Sequence, residues 1–186
     1  VIQTGARTKA ILVAHLFGSR VPMTKILKIA RQHRLMVWED CAQEFVGKQW
    51  KGTPGASVSM FSFGPIKTAT AMGGAVLYFQ DRKFAGDVRA KLKEDPVQST
   101  NSYRKKILKK FVLHTLSKEL CYTLFVKSCQ LLGTSHDELI LRSVKNFPSS
   151  DLFKRLRQQP CASLVRLLER RLLQDHQKAI LKRKRD

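Results

Sequence analysis

The first part of the chain alternates short apolar runs with one clear helical pattern. Residues 10–14 read AILVA, an apolar run of strand length, and residues 35–38 form a second such run. Between them, apolar side chains recur at the i, i+3, i+4, i+7 spacing of a single helix face: Met23, Ile26, Leu27 and Ala30. This strand–helix–strand order predicts a parallel sheet with a right-handed crossover.

Two further apolar runs predict two more strands. Residues 58–63 and 75–79 are rich in aromatic and branched side chains, which favour strands. The intervening segment 46–57 contains glycines and a proline, so it predicts a loop with room for a small hairpin. The expected fold class is therefore α/β, with a mainly parallel sheet and flanking helices.

From Asp81 onward the pattern becomes helical. Asp81 is a good N-cap for a helix that runs to about residue 93, where Asp95-Pro96 follows. Residues 103–132 have the amphipathic pattern of one or two long helices, with leucines and phenylalanines on one side and lysines on the other. Further helices are predicted over 135–145, 150–158 and 161–182.

Positive charge is concentrated in the helical part. The formal net charge is +21, and residues 101–186 contribute +13 of it. A basic surface attracts polyanions or an anionic membrane, but a solvated helix face accounts for the same pattern, and we favour the solvated face. The chain ends KRKRD, which we interpret as a frayed helix end rather than a nuclear-import signal.

The cysteines and histidines give no metal signature. The four cysteines and five histidines are scattered, without a CxxC pair or zinc spacing. We therefore expect reduced thiols, no metal site and a cytoplasmic location. No apolar run of 18 residues and no secretory signal is present in the sequence.

Candidate chemistry lies in the segment FSFGPIKTATAMGGA, residues 61–75. Its single lysine, Lys67, follows a predicted strand and is surrounded by small residues. Partial desolvation there favours the neutral amine, which is the form that condenses with carbonyl groups. The plain alternative is a loop lysine with its ammonium group in water.

A carboxylate is expected at the same edge of the sheet. Asp40 ends the strand run at 35–38, and ligands of open α/β sheets bind beyond the carboxyl ends of strands. A pyridoxal phosphate site needs a lysine for the aldehyde and a carboxylate that keeps the ring nitrogen protonated. His15, at the end of the first strand, is equally well interpreted as a ligand contact or as a turn residue.

Three blocks of the sequence resemble one known family. TKAILVAHLFG (8–18), VWEDCAQ (37–43) and FSFGPIKTATAMGGA (61–75) are similar, in order and spacing, to the DegT/StrS family of pyridoxal-phosphate-dependent sugar aminotransferases. The resemblance covers about seventy residues. It implies part of the large domain of a fold-type I transferase over residues 1–95. Residues 96–186 would be a basic helical region that leads towards a small C-terminal domain.

The resemblance also implies roles for individual residues. Lys67 corresponds to the lysine that forms the internal aldimine with pyridoxal phosphate and moves the proton. Asp40 corresponds to the aspartate at the pyridine nitrogen, and Gln43 to the glutamine beside the ring hydroxyl. Ser62 corresponds to the serine at the phosphate. The implied reaction transfers an amino group from an amino acid, commonly glutamate, to a keto-sugar nucleotide.

Several features of the family are absent from this sequence. Where the family often has an acidic residue among glycines, residues 71–74 read AMGG. The phosphate-binding loop, the aromatic residue that stacks on the ring and the segment that reaches the partner subunit are not recognisable. We therefore expect an internal fragment of a longer, homodimeric enzyme. The alternatives are a non-catalytic remnant that serves as a dimerisation module, and a basic helical binder of membranes or polyanions, with nucleic acid not favoured.

Overall fold

The computed structural model describes residues 5, 7–16, 19–47, 50–144 and 156–174. The chain divides into two compact units. The first, here the α/β unit, comprises Val1–Glu94 together with Ala162–Asp186, and the second, here the helical unit, comprises Asp95–Cys161.

The α/β unit is built on one four-stranded sheet with the strand order β1-β2-β3-β4. The first three strands are parallel, and β4 runs antiparallel to β3. The mainly parallel sheet with flanking helices that the sequence predicts is thus confirmed. The strands are β1 Ala10–Ala14, β2 Met36–Asp40, β3 Val58–Ser62 and β4 Ala75–Phe79.

One face of the sheet is covered by helix α1, Thr24–Gln32. The apolar residues predicted to share one helix face supply the contact, since Leu27 and Ala30 are buried and Met23 precedes the helix in the same cluster. Val13 and Val37 provide the strand side of this core. Burying aliphatic side chains in this way contributes about 1.5–3 kcal/mol for each one.

The opposite face of the sheet is open over β1 and β2. Leu12 is 71% exposed and Trp38 is 41% exposed, and Met36 and Leu77 are also exposed. Successive side chains of a strand point to opposite faces, so Asp40 belongs to the same face as Trp38. Towards β4 this face is partly covered, where the rings of Phe79 and Phe84 pack edge to face with centroids 5.4 Å apart.

Helix α2 spans Arg82–Leu92 and begins as the sequence predicts. The Asp81 side chain accepts hydrogen bonds from the backbone N–H groups of Lys83, at 2.7 Å, and Phe84, at 3.3 Å. These bonds satisfy two of the N–H groups that have no partner within the first turn of a helix. The predicted N-cap is confirmed.

The helical unit contains three described helices. The predicted amphipathic region is divided at Ser117-Lys118, and Tyr103 and Cys129 are its buried residues. The helical unit also includes an isolated parallel β-bridge between Val97 and Gln159. The helices are α3 Thr100–Leu116, α4 Glu119–Leu131 and α5 His136–Val144. No described helix is both long enough and apolar enough to cross a membrane.

Helix α6, Ala162–Leu173, belongs to the α/β unit. Leu164 and Leu168 are buried, and a Cβ placed on Gly74 would lie 3.2 Å from Leu168 Cδ1. The sequence-based division at residue 95/96 places this helix in the second region, whereas the structure places it with the first unit. Local patterning carries no information on such a distant contact. The predicted helix at 150–158 and the KRKRD end lie largely or wholly outside the described residues.

Candidate active site at the carboxyl edge of the sheet

The carboxyl ends of the three parallel strands are aligned at one edge of the sheet. The His15 N–H donates to the Asp40 carbonyl at 3.0 Å, and the Cys41 N–H donates to the Met60 carbonyl at 2.8 Å. Asp40 is the last residue of β2 and pairs in register with Met60 of β3. Its side chain is half-buried, and Oδ1 accepts a hydrogen bond from Ala42 N at 2.9 Å. The Asp40 carboxylate therefore lies at the sheet edge where the sequence predicts a site.

Lys67 lies on a short loop, residues 64–72, which we call the lysine loop. Both ends of this loop are fixed at Phe63, because its carbonyl accepts from Ala71 N at 2.9 Å and from Gly73 N at 3.0 Å. The Phe63 N–H in turn donates to the Gly74 carbonyl at 3.0 Å. Phe63 and Ala71 are fully buried. The loop is therefore anchored to the core directly after β3.

The side chain of Lys67 is half-buried, whereas its neighbour Ile66 is 80% exposed. The backbone N–H of Lys67 donates to the Gly64 carbonyl at 3.1 Å, and this bond closes a tight turn over residues 64–67. Within the described ranges, no carboxylate forms an ion pair with the Lys67 amine. Backbone hydrogen bonds thus fix the position of Lys67 in the loop.

The other two predicted cofactor contacts lie near this edge. Ser62 is the last residue of β3, is half-buried, and lies on the open face of the sheet with Met60. Its Oγ would be 3.8 Å from a Cβ placed on Gly64, so the hydroxyl adjoins the start of the lysine loop. Gln43 is exposed in the loop that follows β2. The structure therefore gathers Asp40, Ser62 and the lysine loop at one edge, with Gln43 on the neighbouring loop.

His15 and Glu39 form a buried polar network on the covered face, which sequence reasoning did not find. His15 Nε2 lies 3.1 Å from Glu39 Oε1, and His15 Nδ1 accepts a hydrogen bond from Val21 N at 3.1 Å. Because Nδ1 accepts, Nε2 carries the ring proton and donates to the carboxylate. Both ring nitrogens of His15 are therefore used within the fold, although the residue does lie at the strand end.

The second carboxylate oxygen of Glu39 is also bonded. Its Oε2 accepts from Thr53 N at 2.8 Å and from Ser59 Oγ at 2.7 Å. Burial alone would raise the pKa of the Glu39 carboxyl, but the hydrogen bonds from Thr53, Ser59 and His15 together hold that pKa below its ordinary value. Gly52 adjoins the network with φ at +99°, and a Cβ there would collide with the Ser59 side chain. The alternation of a strand is the signal available in the sequence, since Glu39 and its neighbour Asp40 must face opposite sides.

Cys41 adds a thiol to this cluster. Its sulfur, His15 and Glu39 offer ligand atoms that all lie within 4.8 Å of one another, a grouping that the scattered sequence positions do not suggest. A metal on Nε2 would have to displace the proton that the Val21 hydrogen bond places there, so the observed bonding does not fit a metal site. Burial, together with the negative charges of Glu39, Asp40 and Glu44, raises the pKa of the Cys41 thiol to about 12.

An aromatic cavity of about 380 Å³ lies elsewhere in the α/β unit. Phe45, Trp50, Phe61 and Tyr78 line it, with Lys51 and Leu172 at its wall. The guanidinium of Arg20 stacks 4.0 Å from the centre of the Trp50 ring and forms an ion pair with Glu44 at 3.2 Å. None of the predicted site residues lines this cavity, so it is distinct from the edge that carries Lys67.

We expect the substitution Glu39→Gln to destabilise the α/β unit by about 1–3 kcal/mol. An amide oxygen can replace one carboxylate oxygen, but its NH₂ group then faces either the proton of His15 or the donors Thr53 and Ser59. A buried donor is left without an acceptor in both cases. The measurement is equilibrium unfolding in urea, with Glu94→Gln as the control, because the Glu94 ion pair with Lys91 is exposed.

The pH dependence of the unfolding free energy should also show the contribution of the Glu39 carboxylate. Because folding lowers the pKa of Glu39 below its ordinary 4.5, the contribution of Glu39 to stability is complete above that pH and is lost as the pH falls through the folded-state pKa. The gap in unfolding free energy between the native chain and Glu39→Gln should therefore narrow on acidification below 4.5. A gap that widens in this range would contradict the proposed bonding.

Comparison with known proteins shows which family this sequence resembles. A family model described as the DegT/DnrJ/EryC1/StrS aminotransferase family matches residues 4–111. The GDP-perosamine synthase of Caulobacter vibrioides is 38% identical over 86 residues, which are 45% of this chain and 23% of that protein. The UDP-N-acetyl-3-dehydro-alpha-D-glucosamine 3-aminotransferase of Acidithiobacillus ferrooxidans is 43% identical over 70 residues, 36% of this chain and 19% of that protein.

A solved structure is similar to about half of this chain. The aminotransferase TlmJ from Streptoalloteichus hindustanus is 27% identical, with a TM-score of 0.42 over 47% of this chain and 24% of that one. The chain spans about a quarter of the length of the curated relatives it matches. The resemblance of the three sequence blocks is confirmed by the family match, which covers more than half of the residues. The chain belongs to the DegT/DnrJ/EryC1/StrS aminotransferase family.

Proposed function

We propose that this chain carries the cofactor-binding part of a pyridoxal-phosphate-dependent aminotransferase that acts on nucleotide-linked keto sugars. The observation that carries the proposal is the position of Lys67. It lies on a loop anchored at Phe63 by three backbone hydrogen bonds, at the sheet edge where β2 ends in Asp40. An amine and a carboxylate fixed at one strand edge are the two groups that the cofactor requires from the protein.

The donor set at this edge fits pyridoxal phosphate. When bound, the cofactor supplies an aldehyde that captures amines and a protonated ring that withdraws electrons from the captured substrate. Lys67 offers the amine for covalent attachment, and Asp40 offers a carboxylate for the ring nitrogen. Ser62, beside the start of the lysine loop, offers a hydroxyl for the phosphate.

In this proposal the residues of the chain have separate tasks. Lys67 holds the cofactor and, when released from it, accepts and returns the proton at the substrate α-carbon. Asp40 keeps the ring nitrogen protonated, and Gln43 lies beside the ring hydroxyl. His15 is not assigned a cofactor contact, because Val21 and Glu39 occupy both of its ring nitrogens.

The proposed substrates follow from the relatives. The Caulobacter vibrioides protein is named a GDP-perosamine synthase, and the Acidithiobacillus ferrooxidans protein is named an aminotransferase of a UDP-linked 3-dehydro sugar. We propose an amino acid, glutamate, as donor and a keto-sugar nucleotide as acceptor. Both are small polar metabolites, which agrees with the proposed cytoplasmic location.

A complete pyridoxal phosphate site needs more phosphate-binding groups than Asp40, Ser62 and the lysine loop provide. A phosphate with nearly two negative charges is held best by several N–H donors at a helix N-terminus, and Ser62 alone offers one hydroxyl. We propose that further residues of the whole enzyme, and a second subunit of a homodimer, complete the site. Residues 1–95 are then a partial large domain, and 96–186 lead towards the small domain, with α6 returning to the α/β unit.

A second candidate function rests on the open face of the sheet. The exposed apolar side chains of this face include Leu12, Met36, Trp38 and Leu77, and exposed apolar patches are typical of interfaces. If the cofactor site is inactive, the same fold can serve as an association module. The purified chain should then self-associate without binding pyridoxal phosphate. Light scattering measures the self-association, and absorbance measures the bound cofactor that the first proposal requires.

A chimera tests the proposed function directly. Residues 8–81 of this chain replace the corresponding segment of the Caulobacter vibrioides GDP-perosamine synthase, so that the relative supplies every other part of the site. We expect glutamate-dependent amination of the parent's sugar nucleotide to persist. A chimera that melts as the parent does but neither binds the cofactor nor transfers an amino group would contradict the proposal.

A further inference from the structure

The outward face of helix α4 carries exposed leucines in a regular row. Leu120 is 80% exposed, Leu124 is 67% exposed and Leu131 is 89% exposed. These three residues, which we call the leucine stripe, are spaced at i, i+4 and i+11, so they lie along one side of the helix. Cys129, on the opposite side, is 4% exposed and faces the interior of the helical unit. The helix thus has a packed side and an exposed row that contains three leucines.

Basic residues are frequent in α3, α4 and the short connection between them. Residues 100–131, which comprise α3, α4 and the two residues between them, include seven Lys or Arg residues and one acidic residue, Glu119. Lys127 occupies the i+7 position of the leucine stripe itself, and Lys118 precedes the helix. A lysine in such a row can lay its aliphatic stem along an apolar phase and keep its ammonium group at the surface.

The helical unit also contains a groove that combines apolar side chains with lysines. A groove of about 510 Å³ is lined by Leu108, Val112, Leu116, Phe125 and Leu139, and Lys105 and Lys109 stand at its wall. Phe111, on the same helix as the lysines, is 66% exposed. Apolar floors beside ammonium groups fit amphiphiles that have a hydrocarbon tail and an anionic head.

We propose that the helical unit docks on the surface of an anionic phospholipid bilayer, with the leucine stripe of α4 buried at the boundary between headgroups and acyl chains. Helices that present exposed apolar side chains together with basic residues bind to the interface of anionic bilayers. Each basic residue near an anionic leaflet strengthens binding about fivefold. The proposal does not depend on the proposed aminotransferase function, because none of its residues belongs to the α/β unit.

Charge decides between the bilayer and the other possible occupants of this face. A second copy of the chain would bring two strongly basic helix pairs together, and like charges repel. A nucleic acid would satisfy the lysines but would leave the leucine stripe in water, since its affinity comes from phosphate contacts. An anionic bilayer satisfies both the apolar and the basic side chains.

Flotation with vesicles tests this inference on the whole 186-residue chain. Large vesicles of phosphatidylcholine, with and without phosphatidylglycerol, are mixed with the protein at physiological salt. We expect the chain to float with the anionic vesicles only. The triple variant Leu120→Ser, Leu124→Ser, Leu131→Ser should lose at least about tenfold in partition, because three leucines no longer enter the apolar phase.

The matched control changes three exposed leucines of the other unit. The variant Leu16→Ser, Leu92→Ser, Leu173→Ser should float as the native chain does. The stripe residues are too exposed for their loss to unfold α4, and circular dichroism verifies this. Failure of the native chain to float, equal flotation of the stripe variant, or equal binding to neutral vesicles would each overturn the inference. So would a concentration-dependent dimer that only the stripe variant loses.

Discussion

Replacing Lys67 by alanine in the chimera is expected to lower the rate of amino-group transfer by at least about a thousandfold. The amine that would hold the cofactor is also the group that would move the substrate proton, so one substitution removes both contributions. The measurement is steady-state production of 2-oxoglutarate from glutamate. Absorbance of the bound cofactor, recorded on the same samples, should show that covalent attachment is lost.

The control for this substitution is Lys28→Ala. Lys28 is exposed on α1, far along the chain from the lysine loop, so the variant should retain the activity and melting temperature of the chimera. Lys67→Ala should also melt normally, because the loop is held by backbone bonds at Phe63 rather than by the lysine side chain. Normal turnover in Lys67→Ala would show that another amine performs the reaction.

The second large effect is expected for Asp40→Asn. A neutral amide cannot keep the ring nitrogen protonated, so the stabilisation of negative charge that develops in the transition state is lost. We expect kcat to fall by at least about a hundredfold, while covalent attachment at Lys67 persists. Stopped-flow measurement of the half-reaction with glutamate separates the chemical step from cofactor binding.

The adjacent acid provides a matched comparison for Asp40. Asp40 lies on the open face of β2, and Glu39 is buried on the covered face with His15, Ser59 and Thr53. Asp40→Asn should therefore change kcat with little effect on unfolding. Glu39→Gln should change the unfolding free energy with a smaller effect on kcat per folded molecule. The reverse pattern would mean that the two carboxylates have been assigned to the wrong tasks.

Periodic features of the sequence predicted the elements of the fold well. The strands at 10–14 and 75–79 are observed with the predicted bounds, because short apolar runs rich in branched and aromatic residues favour strands. The row of Met23, Leu27 and Ala30 packs as the helical spacing indicates. These predictions succeed because each depends on a pattern within one element.

Contacts between distant residues could not be predicted in this way. Arg171 of α6 donates a hydrogen bond from Nε to the Thr70 carbonyl at 2.9 Å, although the two residues are 101 positions apart. The buried bonds of Glu39 likewise join β2 to Ser59 and Thr53, and no local pattern marks them. The candidate site was predicted from Lys67 and Asp40 alone, but the anchoring of the lysine loop at Phe63 depends on the folded chain.

Covalent capture of the cofactor tests the central claim most directly. The chimera is incubated with pyridoxal phosphate and reduced with borohydride, and the modified peptide is identified by mass spectrometry after proteolysis. The account predicts that the phosphopyridoxyl group is found on the peptide that contains Lys67 and disappears in Lys67→Ala but not in Lys28→Ala. Label spread over exposed lysines, and unchanged in Lys67→Ala, would contradict it.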